Sequence, residues 1–176
     1  RFANRAEIIW EKGTNRSAFF RGEVDKYGWV DIGSSFLPSE VIAAFLWAQI
    51  EYLDEIQKRR KQIWNQYYEG LKKNEGDEDF KLPHLPDYAT NNAHMFYLIF
   101  ESLEKRNECI TRLKNKEIYA VFHYLSLHKS PFYSNQYLGE DLFFSNLYSD
   151  TLLRLPFYYE LSNEEIELII LAIKNE

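Results

Sequence analysis

The sequence contains a single cysteine, Cys109, among its 176 residues. One thiol cannot form an intrachain disulfide, and it cannot supply the cysteine ligands of the usual four-coordinate zinc site. The chain also lacks an apolar run near the roughly 20 residues needed to cross a bilayer, and it has no leader of the secretory type at its start. These absences fit best with a soluble protein in a reducing, cytoplasmic setting.

Clustered positive charge is scarce as well. Lysine and arginine total 21 against 27 aspartate and glutamate, so the formal net charge is −6 at pH 7. Binding to a nucleic-acid backbone or an anionic membrane depends on clustered cations that neutralise phosphates. The one short basic run, Lys58–Lys61, lies within helical spacing and is most simply a solvated helix face. We therefore expect neither nucleic acid nor membrane among the partners.

Aromatic side chains are abundant, at 17% of the chain. They are typical of cores and of subunit interfaces, where amphipathic rings bury well. A base-stacking surface is the alternative, but such surfaces usually accompany a basic groove, and none is evident here. The chain also begins at Arg1, inside a charged amphipathic pattern and without an initiating methionine, so we expect it to be part of a longer protein.

The first part of the chain predicts a helix, a long loop and a second helix. Helical spacing over Arg5–Lys12 is followed by a glycine-containing stretch, and a loop of that length is usually functional or disordered. Pro38, followed by Ser39 and Glu40, is a typical helix start. Apolar spacing then continues to Leu71, which predicts one helix of more than thirty residues that connects two parts of a protein.

A charged linker, residues 73–86, precedes a predicted small α/β domain, residues 87–176. Short apolar runs with strand character alternate there with segments of helical spacing. The predicted strands are His94–Phe100, Ile118–Leu125 and Leu152–Phe157, and the predicted helices are Leu103–Lys114, Asp141–Ser149 and a final helix that a capping box of Ser162 and Glu165 begins. This order predicts strands that helices cover on at least one face.

Among the four histidines, only His123 and His128 lie close together. A third metal ligand at a recognisable spacing is lacking, so we expect no metal site. Alternation along an extended segment places the two rings on opposite faces, so only one of them can face a cleft. We expect His123 to be a structural histidine with satisfied hydrogen bonds. His128, in the loop after the predicted strand, is the better candidate for contact with a substrate.

Gly33, Ser34 and Ser35 precede the second predicted helix, where hydroxyl and free backbone N–H groups can bind an anion of phosphate size. Capping of that helix by Ser35 or Ser39 is the competing interpretation, and spacing alone favours it. The glycine-rich loops of mononucleotide and dinucleotide sites do not occur. No nucleophile-elbow motif supports a serine hydrolase either.

Longer strings are more specific than these patterns. They include EKGTNRS at Glu11–Ser17, FFRGEVDKY at Phe19–Tyr27, WVDIGSS at Trp29–Ser35, NAHMFY at Asn92–Tyr97, AVFHYLSLH at Ala120–His128 and RLP at Arg154–Pro156. From near residue 5 to its end, the chain resembles the DegT-type sugar aminotransferases. The resemblance implies an α/β fold, the C-terminal part of the aspartate-aminotransferase-like fold (PLP fold type I). Residues 1–72 are then the end of the large PLP domain with an interface loop and connecting helix, and residues 87–176 are the small domain.

The resemblance implies pyridoxal phosphate (PLP) as the cofactor of the parent enzyme, bound by a lysine and tuned by an aspartate. The family's lysine lies in a Ser-Phe-His-x-x-Lys type segment, which does not occur in this sequence. None of the lysines present matches that position. We therefore expect no catalytic residue in this chain, no transamination by the chain alone and no retention of PLP by it.

The resemblance also implies supporting contacts. In family members, the loop before the connecting helix reaches the cofactor phosphate of the other subunit, and Ser34 and Ser35 occupy that place here, where the family usually has an asparagine. His128 matches a position that faces the sugar nucleotide in related enzymes. Tyr27 and Trp29 are candidate walls of the substrate site, with core packing as the alternative.

The parent protein is thereby expected to transfer an amino group from glutamate to C4 of a dTDP-4-keto-6-deoxyhexose. The resemblance places that reaction in the synthesis of surface polysaccharides such as lipopolysaccharide and enterobacterial common antigen, with a homodimer or higher oligomer as the active assembly. A non-catalytic domain of the same descent, which binds a sugar nucleotide or serves dimerisation, is the alternative. The aromatic, interface-rich sequence of residues 1–60 favours a truncated or split enzyme.

Overall fold

A computed structural model describes residues 2–35, 37–72 and 80–174. The chain divides into two compact units, Arg1–Tyr52 and Leu53–Glu176. The helices are α1 (Ala3–Trp10), α2 (Arg16–Phe20), α3 (Glu40–Ile50), α4 (Leu53–Lys72), α5 (Leu103–Asn115), α6 (Phe143–Thr151) and α7 (Asn163–Lys174). The strands are β1 (Phe80–Lys81), β2 (Tyr97–Phe100), β3 (Val121–Phe122) and β4 (Leu152–Arg154). The predicted assignment of residues 1–72 and 87–176 to two domains of a larger enzyme stays a prediction.

In the first unit, α1 begins two residues before the predicted segment, and the loop that follows contains the short helix α2. Asn15 ties this loop together, because its side-chain Oδ1 accepts a hydrogen bond from the backbone N–H of Gly28 at 2.8 Å. An isolated bridge pairs Thr14 with Trp29. The loop is therefore an ordered hairpin-like segment.

Two glycines allow the ends of this loop to touch. Gly13 has φ +83°, a conformation that residues with a Cβ rarely adopt, and its carbonyl accepts hydrogen bonds from the backbone N–H groups of Val30 at 2.8 Å and Asp31 at 3.2 Å. A Cβ on Gly33 would overlap the backbone of Lys12, and a Cβ on Gly13 would overlap the carbonyl oxygen of Asp31. Backbone contacts backbone here, and only glycine fits at either position.

The prediction of one continuous helix from Pro38 to Leu71 was wrong. Helix α3 ends at Ile50, and α4 begins at Leu53. The N–H of Tyr52 donates to the carbonyl of Gln49 at 3.2 Å, three residues earlier, so the chain turns more tightly than an α-helix there. No proline or glycine marks the break, and apolar spacing alone therefore could not reveal it.

The two helices on either side of the break differ in character. Every residue of α3 is exposed in this chain, although its sequence is apolar around the whole circumference. A helix of that composition normally lies inside a larger core. By contrast, α4 buries one face, with Ile63, Trp64, Tyr67 and Leu71. None of the helices in the described ranges is long and apolar enough to span a bilayer.

The second unit contains a four-stranded sheet in the order β1-β2-β4-β3, and all neighbouring strands are antiparallel. Strands β2 and β3 therefore run parallel to each other with β4 between them. The predicted strand-helix-strand passage is β2-α5-β3, and its two strands are separated in the sheet by β4. In register, Leu98 lies opposite Leu153, and both side chains are buried under the helices. The core also includes Phe80 and Leu82, so the end of the predicted linker belongs to the sheet. Residues 73–79 lie outside the described residues.

The strands are shorter than predicted. Strand β3 has two residues instead of the eight of Ile118–Leu125, because it pairs only with β4 and because Tyr124 has φ +44°, which ends the extended conformation. A run of apolar residues indicates a buried segment, whereas a strand also needs a neighbouring strand that pairs with its backbone N–H and C=O groups.

Helix α7 begins as predicted. The Oγ of Ser162 accepts from the N–H of Glu165 at 3.1 Å, and the Glu165 carboxylate accepts from the N–H of Ser162 at 2.8 Å, which completes the capping box. Its far end receives two hydrogen bonds from Arg112, to the carbonyls of Ala172 and Ile173 at 3.1 and 2.9 Å. Local sequence thus sets the start of α7, and a tertiary contact satisfies its end.

Candidate functional site

Tyr27 and Trp29 lie in the ordered loop of the first unit. The indole of Trp29 is 83% exposed, and the ring of Tyr27 packs 5.6 Å from the ring of Phe19 while remaining half exposed. Neither side chain is buried in the core of this unit, which was the alternative interpretation. Both rings are available to a ligand or to a covering surface.

Ser34 and Ser35 end the same loop. Ser34 donates its backbone N–H to the carbonyl of Ile9 at 3.0 Å, with its hydroxyl 3.4 Å from the same oxygen. Ser35 is exposed. The cap of α3 is Ser39, whose Oγ accepts the N–H of Ile42 at 3.4 Å, so neither Ser34 nor Ser35 is needed for capping. Two hydroxyls beside a fixed backbone suit a supporting contact to a phosphate, but they do not make a cofactor site without a lysine.

His128 lies in the second unit, in a single 3₁₀ turn, Leu127–Lys129, that follows β3. Its side chain is only 8% exposed, and its Nε2 is 3.9 Å from Oδ1 of Asp141. That Nε2 is buried and has no hydrogen-bond partner among the described residues. Its ring centre is 5.3 Å from that of Tyr137. A buried nitrogen without a partner costs free energy unless a ligand or water supplies one.

The sequence analysis did not identify Asp141 as a neighbour of His128. Its Oδ1 accepts a hydrogen bond from Nδ2 of Asn146 at 2.8 Å and also lies 3.8 Å from the ammonium of Lys129. Asn146 thereby orients the carboxylate toward the imidazole. Asp141 follows His128 by thirteen positions, and no spacing rule links positions across such a loop.

Serine side chains anchor the start of the His128 turn to α6. The Oγ of Ser126 donates to the carbonyl of Ser145 at 2.9 Å, and the N–H of Ser126 donates to Oγ of Ser149 at 3.3 Å. Arg106 of α5 donates Nη1 to the carbonyl of Ser149 at 3.0 Å. The start of the His128 turn is therefore held by α6, and Arg106 ties α6 to α5.

His123 does not match its predicted role as a satisfied structural histidine. Its Nδ1 is buried and has no hydrogen-bond partner among the described residues, and its ring lies 4.7 Å from that of Tyr124. Arg154, at the end of β4, likewise has a buried Nε without a partner in the described ranges. The burial of these nitrogens could not be predicted from the sequence, because only the tertiary structure decides whether water reaches them.

The candidate residues fall in both units: Tyr27, Trp29, Ser34 and Ser35 in the first, and His128 in the second. Residues 1–174 match the profile of the DegT/DnrJ/EryC1/StrS aminotransferase family. The chain belongs to this family. The family resemblance of its motif strings is thereby confirmed.

Two curated proteins are similar in sequence to this DegT-family chain. It is 27% identical over 133 residues to the spore coat polysaccharide biosynthesis protein SpsC of Bacillus subtilis, with 72% of this chain and 33% of SpsC covered. It is also 27% identical over 135 residues to the dTDP-3-amino-3,6-dideoxy-alpha-D-galactopyranose transaminase of Aneurinibacillus thermoaerophilus, with 76% of this chain and 35% of that enzyme covered. The chain thus spans about a third of the length of these curated relatives.

The fold of the DegT-family chain matches that of solved aminotransferases. Spr1654 of Streptococcus pneumoniae, named as a sugar aminotransferase and solved in its PLP form, superposes with a TM-score of 0.78 at 23% identity. That comparison covers 96% of this chain and 41% of Spr1654. The predicted fold class, part of the aspartate-aminotransferase-like fold, is confirmed.

Proposed function

We propose that this chain is the C-terminal part of a PLP-dependent aminotransferase that acts on a nucleotide sugar. The reaction moves an amino group from glutamate to C4 of a dTDP-4-keto-6-deoxyhexose, and dTDP-4-amino-4,6-dideoxygalactose is the expected product. The family match over residues 1–174 carries the proposal. The names of the two relatives, a spore coat polysaccharide biosynthesis protein and a dTDP-amino-sugar transaminase, support a surface polysaccharide role and a dTDP-sugar substrate. We assign the product to lipopolysaccharide or enterobacterial common antigen.

In this proposal the chain supplies contacts and no catalytic residue. PLP, when bound to the whole enzyme, supplies the electron sink through which an amino group moves between carbon atoms. Ser35 donates its hydroxyl hydrogen bond to the PLP phosphate. Ser34 does the same once its hydroxyl turns away from the carbonyl of Ile9, to which it donates at 3.4 Å in this structure. His128 binds the sugar nucleotide through the unpartnered Nε2. Tyr27 and Trp29 are proposed as walls of a substrate site of the assembled enzyme.

The exposed apolar surface of α3 supports an assembly larger than this chain. A helix that is apolar around its circumference is stable in water only when other protein covers it. We therefore assign α3 to the interior of a homodimer or higher oligomer of the parent enzyme, in the cytoplasm. Residues 1–72 then belong to the large domain and its connecting helix, and residues 87–176 to the small domain.

Chemical labelling tests the proposal that this chain contains no catalytic lysine. The purified chain is mixed with PLP, reduced with borohydride and mapped by mass spectrometry. We expect no single lysine to be labelled stoichiometrically, because the segment that carries the family's lysine is absent from this sequence. Stoichiometric labelling of one lysine would place the catalytic site in this chain and overturn that part of the proposal.

Ligand binding tests the substrate contact. Calorimetric titration with dTDP-glucose, compared with UDP-glucose, is expected to show a preference for the dTDP sugar that His128→Asn weakens. His84→Asn is the matched control, because His84 is an exposed histidine of the same unit. The chain is then mixed with the catalytic half of a family member, and transamination is measured. This measurement distinguishes a split aminotransferase from a non-catalytic binding domain. Sugar binding without restored transfer of the glutamate amino group would favour a non-catalytic binding domain.

A further inference from the structure

An apolar cavity of about 590 Å³ lies beside α7 in the second unit, and we call it the α7 cavity. Its lining comes from α7, from the turn that follows α5 and from the segment between β4 and α7. None of the residues proposed to contact PLP or the sugar nucleotide is part of this lining. A concave space of this volume is within the range of sites that bind small organic molecules.

The α7 cavity is apolar in both its buried and its exposed part. Leu161 and Ile169 are buried, whereas Leu168 is 62% exposed and the rings of Tyr119 and Tyr158 are also exposed. Because buried side chains line it as well, the space extends into the unit and does not lie flat on the surface. Exposed apolar side chains gain free energy when an apolar ligand displaces water from them. The ligand therefore needs an apolar body.

The charged residues of the lining favour a cation over an anion. Among the described residues they are Lys116, Glu117 and Glu165, so the lining carries a net negative charge. The Glu165 carboxylate is fixed, because it accepts the backbone N–H of Ser162 at 2.8 Å. The two tyrosine rings of the lining act in the same direction, because the face of an aromatic ring attracts a cation.

Glu117 occupies a backbone position that glycine usually fills. Its φ is +60°, its N–H donates to the carbonyl of Lys114 at 3.0 Å, and the N–H of Ile118 donates to the carbonyl of Leu113 at 2.9 Å. These bonds end α5 in a Schellman-type turn, in which a residue with a Cβ costs more free energy than glycine. The chain nevertheless has a carboxylate at this place in the lining.

We propose that the α7 cavity binds a small hydrophobic amine, a molecule with an aromatic or aliphatic body and one ammonium group. The body replaces water on the leucine, isoleucine and tyrosine side chains, and the ammonium group lies against Glu117. A concave lining with a buried part suits a small molecule better than a flat protein surface. The site uses neither PLP nor the residues proposed to contact the sugar nucleotide, so it is independent of the proposed function.

Three probes with the same phenylbutyl body test the proposal on the purified chain. They are 4-phenylbutylamine, 4-phenylbutanol and 4-phenylbutyrate, which are cationic, neutral and anionic at neutral pH. The methyl resonances of Leu168 and Ile169 are followed by nuclear magnetic resonance during each titration. We expect saturable shifts with the amine at a dissociation constant of about 1 mM or tighter, weaker binding of the alcohol and the weakest binding of the carboxylate. Absence of a saturable shift with the amine, or equal or tighter binding of 4-phenylbutyrate, would overturn the proposal.

Two substitutions separate the contact with the body from the contact with the ammonium group. Leu168→Gln is expected to weaken the binding of all three probes at least about threefold, because it removes apolar lining. Glu117→Gln is expected to weaken the amine alone, by about threefold. The matched controls are Leu103→Gln and Glu108→Gln, which alter exposed residues of α5 outside the lining and should leave binding unchanged. An amine affinity that Glu117→Gln leaves unchanged would overturn the assignment of the ammonium group to Glu117.

A protein occupant of the α7 cavity would give different results. If the cavity were a contact between copies of this chain, Leu168→Gln would shift light scattering toward the monomer. If it were a contact with the rest of the parent enzyme, addition of the catalytic half of a family member would abolish amine binding. Either result overturns the proposal of a small-molecule site, and neither affects the test of transamination for the proposed function.

Discussion

The imidazole Nε2 of His128 lies 3.9 Å from Oδ1 of Asp141, an oxygen that Asn146 already orients through a hydrogen bond of 2.8 Å. The carboxylate therefore faces the same ring nitrogen that lacks a hydrogen-bond partner among the described residues, and Asn146 fixes the carboxylate in that direction. It explains why a nearly buried ring can be held in one orientation without a direct hydrogen bond of its own.

Asp141→Ala is therefore expected to weaken dTDP-sugar binding, because the His128 ring loses the group that orients it. A loss of about 1 kcal/mol corresponds to roughly fivefold weaker binding in a calorimetric titration. Lys129→Ala is the control, since Lys129 approaches the same oxygen from the solvent side, and it should change the affinity less than twofold. Loss of the Asp141 charge alone should favour an anionic sugar nucleotide, so unchanged or tighter binding of dTDP-glucose by Asp141→Ala would show that Asp141 does not orient His128 for binding.

Gly33→Ala is expected to destabilise the first unit, because the added methyl group would overlap the backbone of Lys12. Neither side of this contact is a flexible side chain that can move away, so the cost should be about 2–4 kcal/mol. Denaturant unfolding followed by tryptophan fluorescence measures the change. Gly28→Ala is the matched control, because Gly28 has no atom within 4 Å of the added methyl position and should change stability little.

The stability of the first unit should fall in acid through Glu7 and Glu23. Hydrogen bonds from the Arg21 guanidinium lower the pKa of both carboxyl groups from the ordinary value of 4.5. A carboxyl group with a lowered pKa in the folded state stabilises the fold above its unfolded pKa, and this contribution is lost as the pH falls through the folded value.

Melting temperatures measured between about pH 6 and about pH 3 check this expectation, and added salt should reduce the effect because all three groups are exposed. Arg21→Gln should flatten the acid dependence below pH 4.5, the ordinary value for these carboxyl groups. An unchanged slope in that variant would assign the acid sensitivity to other carboxylates.

Helix α3 should drive self-association of the isolated chain. Phe45 and Trp47 are 73% and 66% exposed, and such a surface is normally covered by protein. Light scattering should show oligomers that Phe45→Glu shifts toward the monomer. Gln49→Glu adds the same charge on the same helix at a polar position and should have the smaller effect. A clean monomer for the unaltered chain would contradict the prediction.

Local sequence was sufficient wherever a structure depends on neighbours in the chain. The capping box at Ser162 and Glu165 and the cap of α3 at Ser39 could be predicted because each closes over three residues. The family also followed from contiguous strings such as WVDIGSS, and the match over residues 1–174 confirmed it. The predicted roles of Ser34, Ser35, Tyr27, Trp29 and His128 stay predictions.

The sequence by itself determined the starts of α3 and α7, the mixed α/β class and the family, because propensity, capping and motif strings act over short distances. The tertiary structure alone decided where the long helix breaks, how short β3 is, and which polar groups lose water. Asp141 meets His128, and Arg154 meets Tyr124, across loops whose path depends on many distant contacts. Burial of a nitrogen is a property of all the atoms around it, and no spacing along the chain encodes it.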